Sequence, residues 1–318
     1  MAVSKLPLPL KQALDAVGVR KMTDVEKILF DGKYVRHYFD PKPGELIYHY
    51  TSLEAAKAIL EGQSIWLSEY QKTNDASEFT FAKQRFRDEI AKLSTEYSSS
   101  SIDVYKERLK GFEDGQCMLI GSFTQNGDDL SQWERYADRA SGCVIGFNAY
   151  WFWKYPGIRL HKVIYEDGYL KNLVEANLYM MDQAKKLFPQ IPLELLATYF
   201  VFEQFCFKDH RFSSEQEIRM TRSVQINSNS DSGLDDGIMQ LAKGKFPGPF
   251  AKPFEVKIRN GAYGQTRYIS LPTIFRGSSA VRSIGFGPRC SPTDEQTFIE
   301  TFKPMKRLKF WRSDIPLR

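Results

Sequence analysis

Histidine is scarce in this chain of 318 residues: His37, His49, His161 and His210 are all it has. No two stand at the H-x-H or H-E-x-x-H spacing that sets imidazoles on one metal ion, so a zinc hydrolase is rejected and no metal is expected. Cysteine is equally scarce. Cys117, Cys143, Cys206 and Cys290 lie too far apart for a disulfide framework or a paired-cysteine zinc site, which points to reduced thiols. No apolar run is long enough to span a bilayer, and the opening MAVSKLPLPLKQ has only a short apolar run broken by prolines. A cytoplasmic protein with no membrane partner is therefore expected. No Walker loop, G-x-S-x-G elbow or dinucleotide fingerprint is present, and Gly285-Phe286-Gly287-Pro288 reads as a strand-to-turn device. Net charge is small as well: +5, with no long basic tract. It tolerates an anionic ligand or nucleic acid without demanding one.

What the chain does have is core-forming material, 42% hydrophobic and 14% aromatic. That composition and length suit one elaborated domain. We expect an irregular N-terminal extension over 1–44, a single α+β domain over 45–318, and a long surface loop near 225–252, where Ser, Asn, Asp, Gly and Pro accumulate.

The domain is organised around the stretch from Tyr48 to Glu78. Leu46-Ile47-Tyr48-His49-Tyr50 favours a strand. Thr51 and Glu54 then have capping-box spacing, and Leu53, Ala56, Ile59 and Leu60 fall on one helical face that Gly62 can close in the left-handed conformation. A second strand is expected at Ser64–Ser68. Asn74 and Asp75 open the next helix, with Asp75 and Glu78 again at capping-box spacing. A strand end beside a free helix N-terminus suits a phosphate-bearing ligand. Further along, Ser98–Ser101 reads as a loop and Ile102–Phe112 as a helix. Strands are expected at Cys117–Thr124, Cys143–Phe147 and Val163–Tyr165, with a short helix over LSQWERYAD between the first two. Two helices follow, at Tyr169–Phe188 and Leu193–Lys208, the second apolar nearly all round. Phe212–Met220 reads as a loop entering a strand. More strands are expected at Glu255–Arg259, Arg267–Leu271, Val281–Phe286 and Leu308–Trp311, with a helix at Asp294–Phe302.

Few residues stand out for chemistry. In a strand, Glu215 and Glu217 would project from one face roughly 6.5–7 Å apart. Crowded carboxylates can divide the work of base and charge stabiliser. The plainer reading is a solvated strand edge with Arg219 as ion-pair partner. His49 alone reads first as a structural hydrogen-bonding residue, and Trp133 and Tyr136 as packing.

The order of YHYTSLEAAKAIL, NDASE, SFTQNGDDLSQWERYADRASGCVIGF, SSEQEIR and VRSIGFGPR resembles a bacterial domain family of unknown function, DUF twenty-nine seventy-one, related to the ADP-ribosyltransferase superfamily. The resemblance spans about residues 45–300. It implies a split β-sheet with inserted helices and a cleft for NAD, here a substrate. It also implies cleavage of the nicotinamide–ribose bond and transfer to a macromolecular acceptor, nucleic acid or protein. A toxin or anti-phage effector fits this picture, with an antitoxin or chaperone as a further partner. His49-Tyr50-Thr51 matches the first motif, so His49 and Thr51 would bind NAD while Tyr50, Trp133 or Tyr136 stacks on nicotinamide. Ser122 and Thr124 match the middle motif, for which Ser68 and Tyr70 compete. Glu217 matches the catalytic glutamate and Glu215 completes an E-x-E, orienting or deprotonating the acceptor. An NAD glycohydrolase or an inactive nucleotide-binding module are the alternatives. The reading requires His49 and Glu217 to face one cleft.

Overall fold

The structure, a computed structural model, describes residues 38–72, 76–153, 155, 157–187, 189, 192–236, 253–261, 264–305 and 307–316. It is an α+β fold built on one large mixed sheet. The central run of strands is β13 (Lys309–Arg312), β12 (Val281–Phe286), β4 (Cys143–Asn148), β1 (Leu46–Thr51), β3 (Gln116–Thr124), β2 (Ser64–Glu69), β9 (Gly264–Pro272) and β8 (Lys257–Gly261). On the other edge of β3 runs β6 (Glu217–Ile226), which also pairs β5 (Arg159–Lys162) and β7 (Leu234–Asp235). Strands β10 (Ile274–Phe275) and β11 (Ser278–Ser279) form a separate antiparallel pair, and among the described strands β12 and β13 alone pair in parallel. Strands β1 and β2 share one edge of β3: β1 touches it at Tyr48↔Thr124, and β2 at Ser68↔Ile120 and Glu69↔Leu119. Between those points the sheet parts.

Pleating sends alternate residues to opposite faces. One face, called face A here, carries Ile47, Leu67, Leu119, Phe123, Ile145, Ile218 and Met220. It is covered by α1 (Leu53–Glu61), α5 (Ala149–Trp153) and α8 (Pro292–Phe302) through Ala56, Leu60, Phe152, Phe298 and Phe302. Face B has two separate apolar clusters. The larger sits under α2 (Ala76–Lys92), α3 (Ser99–Gly115), α6 (Asp167–Leu187) and α7 (Leu193–Phe200), with Tyr70, Met118 and Ile120 at its floor. The smaller gathers Tyr50, Val144 and Trp133 of α4 (Leu130–Tyr136). Between the clusters lies a polar strip of β3 and β6.

Several local expectations shift by a residue or two. Strand β1 runs through Thr51, and Ser52 caps α1 by accepting a hydrogen bond from the Ala55 N–H at 3.1 Å. Gly62 is right-handed; the left-handed residue is Gln63, φ 48°. The serine run is no loop. Ser98 is the N-cap of α3, and the Ser98 and Ser101 hydroxyls donate to Asp182 at 2.5 and 2.6 Å, pinning α3 to α6. Residues 163–165 form no named strand; β5 ends at Lys162, and Ile164 makes an isolated bridge to Phe207. The second of the paired helices turns 3₁₀ at Val201–Cys206. Phe39 is buried in the face A core, so the packed unit begins before residue 45. Asn74 and Asp75 lie outside the described residues, as do most of 1–44 and of the loop at 225–252; nothing is described of the Glu78 side chain.

At the close of that loop, Arg222 and Asp236 form a fully buried pair with bonds of 3.0 and 2.7 Å. Asp236 also accepts from the Phe254 N–H at 2.8 Å. Among the described residues, no helix is long and apolar enough to cross a membrane.

Candidate functional site

The polar strip on face B is built from two glutamates, two buried cations and a rim of hydroxyls. Glu215 closes a 3₁₀ turn, His210–Glu215, and Gln216 is left-handed at φ 43°, ψ 46°. Glu217 is the first residue of β6. The carboxylates therefore meet because of a left-handed residue between them, not because they alternate along a strand. A non-glycine residue in this conformation is strained, and such strain gathers where the surroundings hold a side chain to a set place. Lys208 Nζ lies 2.7 Å from Glu215 Oε2 and 3.6 Å from Glu217 Oε2, so one ammonium serves both.

Glu217 is clamped side-on by Arg219, with Nε donating to Oε1 at 3.0 Å and Nη2 to Oε2 at 2.8 Å. Arg219 is itself fixed by the Phe205 carbonyl at 2.7 Å and the Tyr70 hydroxyl at 3.2 Å. Burial alone would raise the Glu217 pKa. Arg219, by charge and hydrogen bonds, then Lys208 and the Ser122 hydroxyl, overcome this and hold it at about 2. The pair is buried rather than a solvated edge, because β3 and β5 flank β6 on both sides. Removing either partner would leave an uncompensated buried charge.

Glu215 faces the rim. The Tyr136 hydroxyl donates to its Oε1 at 2.7 Å, and Arg135 Nη1 approaches the same oxygen at 3.4 Å. Burial first, then the Glu215 hydrogen bond and charge, push the Tyr136 pKa up, so it remains a phenol that donates. Gln132 Nε2 donates to the Glu215 carbonyl at 3.1 Å, which ties α4 to the 3₁₀ turn. The Glu217 N–H donates to the Tyr165 hydroxyl at 3.0 Å. Tyr165 also lines a depression of ≈ 580 Å³ shared with Tyr38, Lys162 and Ser213.

The residues expected to form one NAD cleft divide into three groups. Glu215, Glu217, Ser122 and Tyr136 converge, with Ser122 and Tyr136 exposed. Tyr50, Trp133 and Thr124 are buried scaffolding. Tyr50 accepts from the Asp129 N–H at 2.9 Å and meets Trp133 edge-on at 4.8 Å; Trp133, with no exposed surface, donates to Asp128 at 2.7 Å; Thr124 accepts from the Asn126 N–H at 3.2 Å. Neither Tyr50 nor Trp133 can stack on nicotinamide as placed. His49 and Thr51 form the third group. Their register partners Ile145 and Cys143 belong to the face A core, and His49 rests on Phe123 of that core at 5.6 Å. His49 and Glu217 therefore lie on opposite faces of the sheet, which withdraws the required shared cleft.

His49 instead spans the parting of β1 from β3. Its Nδ1 lies 3.0 Å from the Ser122 carbonyl. A carbonyl only accepts, so Nδ1 carries the hydrogen. Burial lowers the His49 pKa, consistent with a neutral ring. On face B the corresponding β1 residue is Tyr48, whose ring lies against Gly127 and Gly146; a Cβ at Gly127 would fall 2.6 Å from it. Of the competing residues, Tyr70 is spent on Arg219, and Ser68 accepts from Arg259 at 3.3 Å.

Lys208, Arg135 and Tyr165 were missed at the level of sequence. The available signal was Lys208 itself: a lysine closing the apolar run FVFEQFCFK is buried only if paired. Comparison of the chain with known proteins finds no matching family model, no similar curated protein and no similar solved structure.

Proposed function

We propose that the chain is an NAD-dependent ADP-ribosyltransferase of a form that gives up the shared His49–Glu217 cleft: its site is the face B strip, with Glu217 at the nicotinamide ribose and Tyr48 in place of His49 as the β1 contribution. One observation carries this reading: Glu217 is clamped by Arg219 and shares Lys208 with a second carboxylate, Glu215, with the exposed Ser122 hydroxyl beside it. Cleavage of a glycosidic nicotinamide bond passes through an oxocarbenium-like state, which a fixed carboxylate stabilises. A ribose hydroxyl arriving from solvent can take the place of the Ser122 hydroxyl while Arg219 keeps the carboxylate oriented. Glu215, bonded to Tyr136 at the rim, is placed to orient or deprotonate an acceptor. Arg135 at the rim offers charge to a pyrophosphate. The parting of β1 and β2 along β3 is in keeping with the split sheet that the resemblance implies.

The test is incubation with NAD and cell extract, measuring released nicotinamide and macromolecular label for wild type and Glu217→Gln. The expected loss in the variant is on the order of 100-fold or more. Since this change leaves Arg219 without its clamp partner, thermal unfolding is recorded alongside. Equal release by both proteins would sink the Glu217 assignment. Release without label would indicate a glycohydrolase. Stabilisation by NAD with no release would indicate a binding module.

A further inference from the structure

We infer that face B of β2, β8 and β9 is a binding surface for single-stranded nucleic acid, running from the β8 edge to Ser122. Trp66 is 44% exposed, a large apolar side chain left on the surface. Its ring lies 4.5 Å from that of Tyr268, and the Arg259 guanidinium sits over it at 5.0 Å. The registers Ser68↔Tyr268 and Lys257↔Tyr268 put Lys257 on the same face, and Arg259 is two residues along from it. Residues 257–268 contain three cations, Lys257, Arg259 and Arg267, and no acid. Arg267 is turned to the other face, where buried Glu69 neutralises it. Among the described residues Lys257 has only an exposed ion pair with Glu255 at 3.3 Å, and such pairs yield readily to a phosphate. Arg259 has no carboxylate partner among the described residues.

Charge on an edge strand is common protection against unwanted pairing, and by itself would explain Lys257 and Arg259. It does not explain an exposed tryptophan stacked on a tyrosine between those cations and the polar strip. Trp66 lies two residues from Ser68, and Ser122 two residues from its partner Ile120, so both stand on face B where β2 and β3 part. Successive bases can stack on Trp66 and Tyr268 while Arg259 and Lys257 meet the backbone, the arrangement that binds strands without reading sequence. Bases must be unstacked from a partner strand to use it, which selects single strands over duplex. As the track of an acceptor toward Glu217, the surface rests on the transferase reading; as a binding surface it does not.

The test is fluorescence anisotropy of labelled DNA and RNA single strands, about 12 nucleotides long, and of the matching duplex, with the full chain and no NAD. Wild type is expected to bind a single strand more tightly than duplex, the DNA and RNA arms showing which. Trp66→Ala should weaken binding roughly 5- to 100-fold, and Trp66→Phe less. Arg259→Ala should reduce the salt slope by about 0.7. Both side chains are exposed, and circular dichroism confirms that the variants fold. The inference is overturned if wild type ignores single strands, if duplex binds equally well, or if Trp66→Ala binds like wild type. Binding without nicotinamide release would keep it and remove the transferase; release without binding would do the reverse.

Discussion

Glu217 shows how one side chain's surroundings set the acid limit of the molecule. Its folded pKa, about 2, lies below the ordinary value of 4.5, so its ionised form favours the fold. That contribution is complete above pH 4.5 and disappears as pH falls through about 2. The stability gap between wild type and Glu217→Gln, from urea unfolding, should therefore narrow steadily across that window. A gap that stays constant from neutral pH to pH 2 would show that Arg219 does not hold the carboxylate as described. At this scale the sequence set Glu215 beside Glu217, as the structure does around Lys208, but joined them to His49 and Thr51, which lie on the other face. Both faces of β1 are covered, so Ile47, Tyr48, His49 and Tyr50 show no polar alternation to say which side is which. A one-residue error in phase exchanges the faces. His49-x-Thr51 and Tyr48-x-Tyr50 differ by that single step.

Among the described elements, the turn after α4 gathers backbone strain. Asp138, Arg139 and Ala140 are all left-handed, with φ of 49°, 51° and 71°. Each non-glycine residue in that state costs roughly 1–2 kcal/mol. Backbone bonds offset it: Ala140 N–H to the Trp133 carbonyl at 2.9 Å, Gly142 N–H to Ala137 at 2.8 Å, and Arg289 N–H to Ala140 at 2.9 Å. The turn thereby clips the end of β12 to α4 and so to Tyr136. Gly142 has no room for a side chain, since a Cβ would press on the carbonyls of Thr51 and Ala137. Gly142→Ala should lower stability by about 3 kcal/mol or more, against a small gain of up to about 1 kcal/mol for Gly111→Ala, which meets open space inside α3. Equal melting temperatures for the two variants would contradict this. Element types were legible because helical periodicity and branched strands are local signals. Caps were less so: Thr51 and Ser52 are both good cappers, and only the extent of β1 decides between them.

For the whole molecule, strand order was hidden for a physical reason. Strand β2 pairs β9, with Ser68 opposite Tyr268, and no local pattern announces a partner so distant in the chain. Covering both faces of the sheet also leaves the polar strip visible only once two separate apolar clusters are seen to flank it. The Asp236 carboxylate has a different kind of consequence. It holds Arg222 on one side and the Phe254 N–H on the other, so one side chain ties the chain at 236 to the chain at 254. With those two ends held, the entropic cost of closing a chain between them grows only as the logarithm of its length. A short Gly-Ser replacement of 238–252 should unfold within about 1 kcal/mol of wild type, whereas Asp236→Asn, with the natural loop intact, should lose about 3–5 kcal/mol. If the replacement is the more damaging change, the clasp is not what holds the ends. If it is not, this is the place in the molecule where a reporter domain can be inserted without disturbing the sheet.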